Sequence, residues 1–327
     1  MSESSAEYDE SALENEIAKL ESQLAQAKQR LNTKRRAAEN TKTPSTTPHT
    51  ATPLSTLTPS VTPTIPDPSH HYLLLLSDSA LPLGAFAFSS GLESYLAHAR
   101  SPSSPPSLLY KPTFTSFLPL SLSSYARTTL PFVLAAHRDP RLVAALDDTL
   151  DASIICAVGR RASTAQGRAL LSIWEKSLAP SSAVAAEARR ALEGYSAALR
   201  ASTSTPKKPG QGEEEVDEDM LLPPAVSAHL APLFGVVAQL LGLTLRQTAY
   251  VFLFSHAKAL VSAAVRASMF GPYQAQKILA GGELQVLIAD LVEREWDVRV
   301  EDAGQSVPVM DLWVGRHEML YSRIFNS

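Results

Sequence analysis

Apolar positions along this chain change their spacing and their neighbours three times, and each change marks a different kind of segment. Leu13, Ile17, Leu20, Leu24, Ala27 and Leu31 alternate steps of four and three, an a/d heptad seam with Lys, Glu, Gln and Arg filling the positions between. This predicts a helix from about residue 11 to 38 that hides its stripe against another helix, most simply a second copy. Fewer than four heptads, with Ala27 and then Lys34 on the seam, make it a weak coiled coil. Between Thr41 and Pro68 the pattern disappears, and prolines at 44, 48, 53, 59, 63, 66 and 68 stand among threonines and serines. Such a stretch can neither complete a hydrogen-bond ladder nor bury a core, so it reads as a disordered or extended spacer.

From Tyr72 the chain turns Ala/Leu-rich with helical spacing and almost no β-branched alternation, so the expected fold class is all-α. The resulting division is a heptad helix at 1–40, a Pro/Thr/Ser-rich linker at 41–71 and a helical bundle at 72–327. Asp139-Pro140 reads as an N-cap and first turn, followed by one apolar face of Leu142, Val143, Leu146 and Leu150. Residues 163–177 and 181–200 continue as amphipathic helices. The piece 201–224 carries Glu213, Glu214, Glu215, Asp217, Glu218 and Asp219 among Gly and Pro, and reads as an acidic surface loop. Helical texture returns at 225–241, 244–268 and 272–294, punctuated by Gly242 and Gly271, with Thr244 as an N-cap. The helix after Thr244 is apolar around most of its circumference and is expected at the centre of the bundle. The last stretch, Val307 to Ser327, reads as a short extended piece, a helical turn and a tail.

Composition narrows the function classes. The 327 residues are 45% hydrophobic, and 29 Lys+Arg stand against 33 Asp+Glu, for a net charge of −4. That balance argues against nucleic acid or an anionic membrane as partner. Cys156 is the single cysteine, the first residues lack the form of a signal peptide, and no unbroken run of about 18 apolar residues occurs, so a reducing, cytoplasmic setting is expected. No Cys-x-x-Cys, His-x-x-x-His or Gly-Lys-Ser/Thr motif is present, which leaves metal and nucleotide chemistry to partners.

Individual candidates for chemistry are weak. His256 and Lys258 on the apolar helix could serve an enzyme as acid/base groups, but adjacent Ser255 points about 100° away and no acid completes a triad, so His256 reads as a packed or hydrogen-bonded core residue. Lys258 either caps a carboxylate or faces a groove. Asp290, Glu293 and Glu295 read as a solvated helix face, and His70-His71 as an incidental pair at a domain edge. In the segment 77–93, Pro82 and Gly84 set a turn, Gly91 permits close backbone approach, and Phe86 and Phe88 suggest an extended piece before a helix.

Four ordered motifs carry a resemblance. They are Pro82-x-Gly84-x-Phe86-x-x-Ser89-x-Gly91-Leu92-Glu93; Arg160-Arg161-x-Ser163 with Ala165-Gln166-Gly167-Arg168; His229-x-x-Pro232-x-Phe234-Gly235 with Gly271-Pro272-x-x-Ala275-Gln276; and Arg316-His317-Glu318 with Tyr321-Ser322-Arg323-Ile324-Phe325. Together they resemble the urease accessory protein UreF across about residues 72–327. The resemblance implies a non-catalytic, all-helical, dimeric scaffold that bridges a UreD/UreH-type protein and the GTPase UreG, and through them apo-urease. Nickel and GTP are then handled by the partners, with no cofactor held stably by this chain. It places a partner-facing surface on Arg316, His317, Tyr321, Arg323, Ile324 and Phe325, against the competing reading that Ile324 and Phe325 fold back into the chain's own core. Ser89, Gly91, Glu93, Gln166 and Arg168 become the GTPase-facing or dimer surface, although Arg160, Arg161 and Arg168 also fit as ordinary helix-surface charges. The first 70 residues have no counterpart in this resemblance, and a general coiled-coil adaptor is the other reading they permit.

Overall fold

The computed structural model describes residues 68–78, 81, 83–99, 113–179, 186–204 and 226–326, all within the compact unit spanning Thr64–Ser327. The heptad segment, nearly all of the Pro/Thr-rich stretch, Pro82 and the acidic residues 213–219 lie outside the described residues. Within them the secondary structure is helical throughout.

The first helix, α1 (Pro68–Ser77), starts four residues ahead of Tyr72, with Pro68 supplying its pre-set first φ. After it come α2 (Leu92–Ala99) and α3 (Phe114–Arg138). At 25 residues α3 is the longest helix described, capped by the Thr113 side chain accepting from the Ser116 amide. It runs through Pro119 and Pro131, each of which removes one backbone donor. The Asp139 cap forms as expected, its side chain accepting from the Arg141 amide, and leads through a 3-10 turn into α4 (Val143–Ser153). Next are α5 (Ala157–Ile173), which ends in a π-turn at Trp174–Leu178, and α6 (Ala186–Ser204).

In the second half, α7 (Leu230–Leu240) begins later than residue 225 because 226–229 is not helical: Ala228 is left-handed (φ 69°) and His229 extended. It is followed by α8 (Leu245–Arg266), α9 (Pro272–Ala280), α10 (Gly282–Glu295) and α11 (Pro308–Gly315). The single helix expected over 272–294 is divided, because Gly281 takes an extended conformation (φ −68°, ψ 138°). Thr244 forms a full capping box, its hydroxyl accepting from the Gln247 amide while the Gln247 side chain accepts from the Thr244 amide.

Helix α3 packs against α7, α8 and α10, and α5 also packs against α7. Every residue of α7 except Gln239 is buried, so the centre belongs to this helix rather than to α8. The reason is geometric: α7 is covered by both α3 and α5, whereas α8 keeps one edge toward solvent, with Tyr250 36% exposed. By length and composition alone α8 could cross a membrane, but most of its apolar window is buried inside the fold. Phe117, Phe132, Leu122, Leu130, Leu233 and Leu253 form the fully buried centre, each contributing about 1.5–3 kcal/mol of burial free energy.

Candidate functional site

Two segments far apart along the chain, 86–93 and 316–326, meet at one place. Phe86 sits in a 3-10 turn (Ala85–Ala87), not in the extended piece its alternation with Phe88 suggests. The chain then passes through two consecutive left-handed residues, Ser90 (φ 49°) and Gly91 (φ 86°), before α2 begins. At residue 91 a Cβ would stand 3.1 Å from both the Trp313 Cβ and the Val314 amide nitrogen of α11. Glycine is therefore required twice over, by its φ and by the approach of the last helix. Ser89 is fully buried, and its hydroxyl accepts from the Glu93 amide at 3.4 Å.

Glu93 reaches from the first turn of α2 to the tail. Its Oε1 accepts from the Ile324 amide at 2.7 Å and its Oε2 from the Phe325 amide at 3.2 Å, so one carboxylate clamps two successive backbone donors. His317 lies alongside, with Nδ1 3.6 Å from Glu93 Oε2 and Nε2 3.1 Å from the Phe325 carbonyl oxygen. The Asn326 amide donates to the Ala87 carbonyl at 2.8 Å. Arg266, at the end of α8, donates to the Phe86 carbonyl and lies 4.4 Å over the Phe325 ring, and desolvation lowers its pKa. Around the rim, Arg161 of α5 pairs with Glu318 at 2.5 Å, and Arg323 pairs with the same carboxylate at 2.8 Å. These two guanidiniums, Arg161 first, hold the Glu318 carboxyl below its ordinary pKa.

The clamp divides the predicted tail residues into two sets. Phe325 and His317 are buried (4% and 0% exposed) and hold the tail onto the body, so Phe325 does fold back as the competing reading had it. Ile324 does not: it is 65% exposed and stands with Met319 (82%) and Tyr321 (fully exposed) on the outer side. Arg316 and Arg323 are exposed as well. Because side chains inside the fold cannot touch a partner while the tail stays clamped, Ser89, Gly91, His317 and Phe325 act as supports. Gln166 and Arg168 lie elsewhere on α5 and make no hydrogen bond or ion pair with the tail among the described residues.

Between them, Gly167 explains the motif. A Cβ there would fall 2.0 Å from the Ala228 carbonyl oxygen, so α5 and the non-helical segment 226–229 touch backbone to backbone. That segment is held by residues that sequence patterning missed. Buried Asp147 accepts from the amides of Ser227 (2.6 Å), Ala228 (3.2 Å) and His229 (2.6 Å). The Tyr195 hydroxyl also accepts from the Ala228 amide at 3.0 Å, and burial, then Asp147, raises its pKa well above the usual tyrosine value. The His229 ring bridges Asp151 (2.9 Å) and Ser163 (3.0 Å). Three donors gathered on one carboxylate hold Ala228 in the left-handed region (φ 69°), an arrangement a non-glycine residue adopts only under constraint. The sequence signal was available: Asp147 follows Leu146 on the apolar face of α4.

The remaining candidates take structural places. His256 Nε2 lies 3.1 Å from the Ser121 hydroxyl and its ring stacks on Tyr125 at 3.9 Å, while burial lowers its pKa to about 3. Lys258 lies 5.3 Å over the Phe254 ring, its pKa lowered by burial and partly restored by Asp78. Asp290 and Glu293 are exposed, as the solvated-face expectation had them, but Glu295 corrects it. It is 1% exposed, because Arg127 (3.1 Å) and Arg294 (2.8 Å) neutralise it from two sides. No group of three His, Cys, Asp or Glu side chains able to hold a metal occurs among the described residues, and His70 and His71 are exposed.

Comparison with known proteins agrees with this architecture. The UreF family model matches residues 111–282. A Schizosaccharomyces pombe protein named "Uncharacterized urease accessory protein UreF-like" is 37% identical over 257 residues, 79% of this chain and 97% of its own length. This chain belongs to the UreF family. Other UreF relatives are urease accessory protein F of Oryza sativa, 31% identical across 76% of this chain and 82% of its own length, and UreF of Paenarthrobacter aurescens, 28% identical across 77% and 95%. As a UreF protein it is an accessory factor in urease maturation, works with other urease accessory proteins and is not itself an enzyme.

Proposed function

We propose that this UreF chain is a scaffold that holds a UreD/UreH-type protein on one side and a UreG-type GTPase on the other, so that nickel reaches apo-urease in step with GTP hydrolysis. A homodimer in the cytoplasm is the working form. The observation that carries the reading is the clamped tail. Glu93, His317 and Phe325 fix its backbone, and the same backbone presents Met319, Tyr321, Ile324, Arg316 and Arg323 outward. Exposed aromatic and apolar anchors with guanidiniums alongside, on a pre-organised backbone, have the composition of a protein-binding hot spot. Such a scaffold raises the effective concentration of its partners and biases which nucleotide state docks. Nickel and GTP chemistry stays with those partners.

The test is co-purification combined with rebuilding of urease activity. Tyr321→Ala with Ile324→Ala, two exposed residues, is expected to weaken capture of the UreD/UreH-type partner at least tenfold, and to lower active-site nickel in urease activated in cells lacking the native chain. Undiminished capture by this double variant, or by a chain ending at Met319, removes the tail from the interface. Deleting residues 1–68 separates the scaffold from a coiled-coil adaptor, since the scaffold keeps most of its nickel-dependent urease activation without them.

A further inference from the structure

A second feature of the fold is independent of the tail. Where α10 ends against α3, a crevice of about 420 Å³ is lined by Ser123, Arg127, Arg294, Glu295 and Ser306, a volume within the usual range of ligand clefts. Two guanidiniums face one carboxylate in this lining, which leaves a charge of +1.

The carboxylate is already used on both oxygens. Arg127 Nη1 donates to Glu295 Oε2 at 3.1 Å, and Arg294 Nε donates to Glu295 Oε1 at 2.8 Å. Each arginine has a second anchor: Arg127 Nη2 donates to the Asp302 carbonyl at 2.8 Å, and Arg294 Nη2 to the Ser123 hydroxyl at 2.9 Å. Both forks are thus held by two bonds, and the rotamer entropy of placing them is already spent. The bonds to Glu295, Asp302 and Ser123 use only some of the five donors on each guanidinium. Neither Arg294 Nη1 nor the Ser306 hydroxyl has a protein partner among the described residues. The Asp302 carboxylate is engaged by Arg299 at 2.9 Å.

We infer that this crevice binds a small phosphate-type oxyanion, held by Arg294 and Arg127 with hydroxyl donors from Ser306 and Ser123. A tetrahedral oxyanion carries several acceptors in different directions, which suits two forks and two hydroxyls converging on one space. A planar carboxylate presents its acceptors in one plane only and has two oxygens for the four converging donor groups. Glu295 remains as the buried counter-ion that keeps the arginines in place without blocking their outer donors.

The full-length protein is titrated with inorganic phosphate at fixed ionic strength balanced by chloride, followed by 31P NMR and by the melting temperature. Saturable binding with a half-point of about 1 mM is expected, weakened at least tenfold by Arg294→Gln and two- to fivefold by Ser306→Ala. Ser306 is exposed, so that variant keeps the fold even where loss of an Arg294–Glu295 contact compromises it. Competition by a phosphoserine peptide or by guanosine monophosphate at the same Arg294-dependent site supports the assignment and names the source of the phosphate, and competition by neither leaves the free ion as ligand. The inference is overturned if binding does not saturate, if Arg294→Gln and Ser306→Ala both bind as the unsubstituted protein does, or if acetate displaces phosphate at equal concentration.

Discussion

At the scale of single residues, the buried ionisable groups of this fold are compensated by hydrogen bonds, ion pairs or neutrality. Asp147 collects three amide donors and Glu295 two guanidiniums. His256 follows the third course and stays neutral, because its surroundings are Tyr125 and a serine hydroxyl with no acid beside it. Its pKa is lowered in the folded state, to about 3, so the unfolded chain binds the proton more readily. The stability linked to His256 is therefore complete above about pH 6.5 and is lost as the pH falls from there toward 3, by up to about 1.4 kcal/mol per pH unit. His137, lowered by desolvation, acts in the same direction. Urea denaturation between pH 4 and 7 checks this: His256→Gln, which keeps a hydrogen-bonding group for Ser121, is expected to flatten the acid limb, and an unchanged slope would show that His256 is protonated in the native state. Sequence reasoning reached the role of His256 because apolar neighbours at helical spacing are a local property. It did not reach Glu295, since its two arginines come from the adjacent residue and from a helix 168 positions away.

At the scale of elements, the contact between α5 and the non-helical segment 226–229 places the strongest demand on a single position. Gly167→Ala would gain up to about 1 kcal/mol of helix propensity but would put a methyl group 2.0 Å from a backbone oxygen. That oxygen cannot move freely, because Asp147 holds the neighbouring amides. The expected net effect is a loss of about 2 kcal/mol or more, measured by thermal or urea unfolding, and Gly159→Ala on the same helix, where a Cβ meets only side chains at 3.8 Å, should be tolerated. Caps and breaks were the legible part of the elements: Asp139, Thr244 and Pro272 all start helical turns where the sequence placed them. Helix α3 was not legible as a separate element, since Pro119, Pro131 and a run of Ser and Thr mask its apolar face. Burial of that face against α7 and α8 outweighs the poor local propensity.

At the scale of the whole molecule, one carboxylate near the start of the bundle holds the end of the chain. Glu93→Gln leaves one good acceptor for two amides, so exchange protection of the Ile324 and Phe325 amides should fall by at least tenfold while the α7 amides keep theirs. Equal loss in both regions would mean that Glu93 supports the core rather than the tail. If the tail is the docking surface, the same variant also weakens partner capture without removing any exposed anchor. This coupling lies beyond sequence patterning, because Glu93 and Phe325 are separated by 232 positions. Only the resemblance to UreF marked both ends together as candidates.

By itself the sequence determined the helical class, most of the caps and, through four ordered motifs, the UreF family, because these depend on residues close together along the chain. Tertiary structure alone decided that α7 rather than α8 occupies the centre, that Glu295 is buried, that Gly167 serves packing and that His317 and Phe325 face inward while Tyr321 and Ile324 face out. Each of those outcomes depends on which distant groups arrive beside a residue, and periodicity along one helix carries no information about what packs against it.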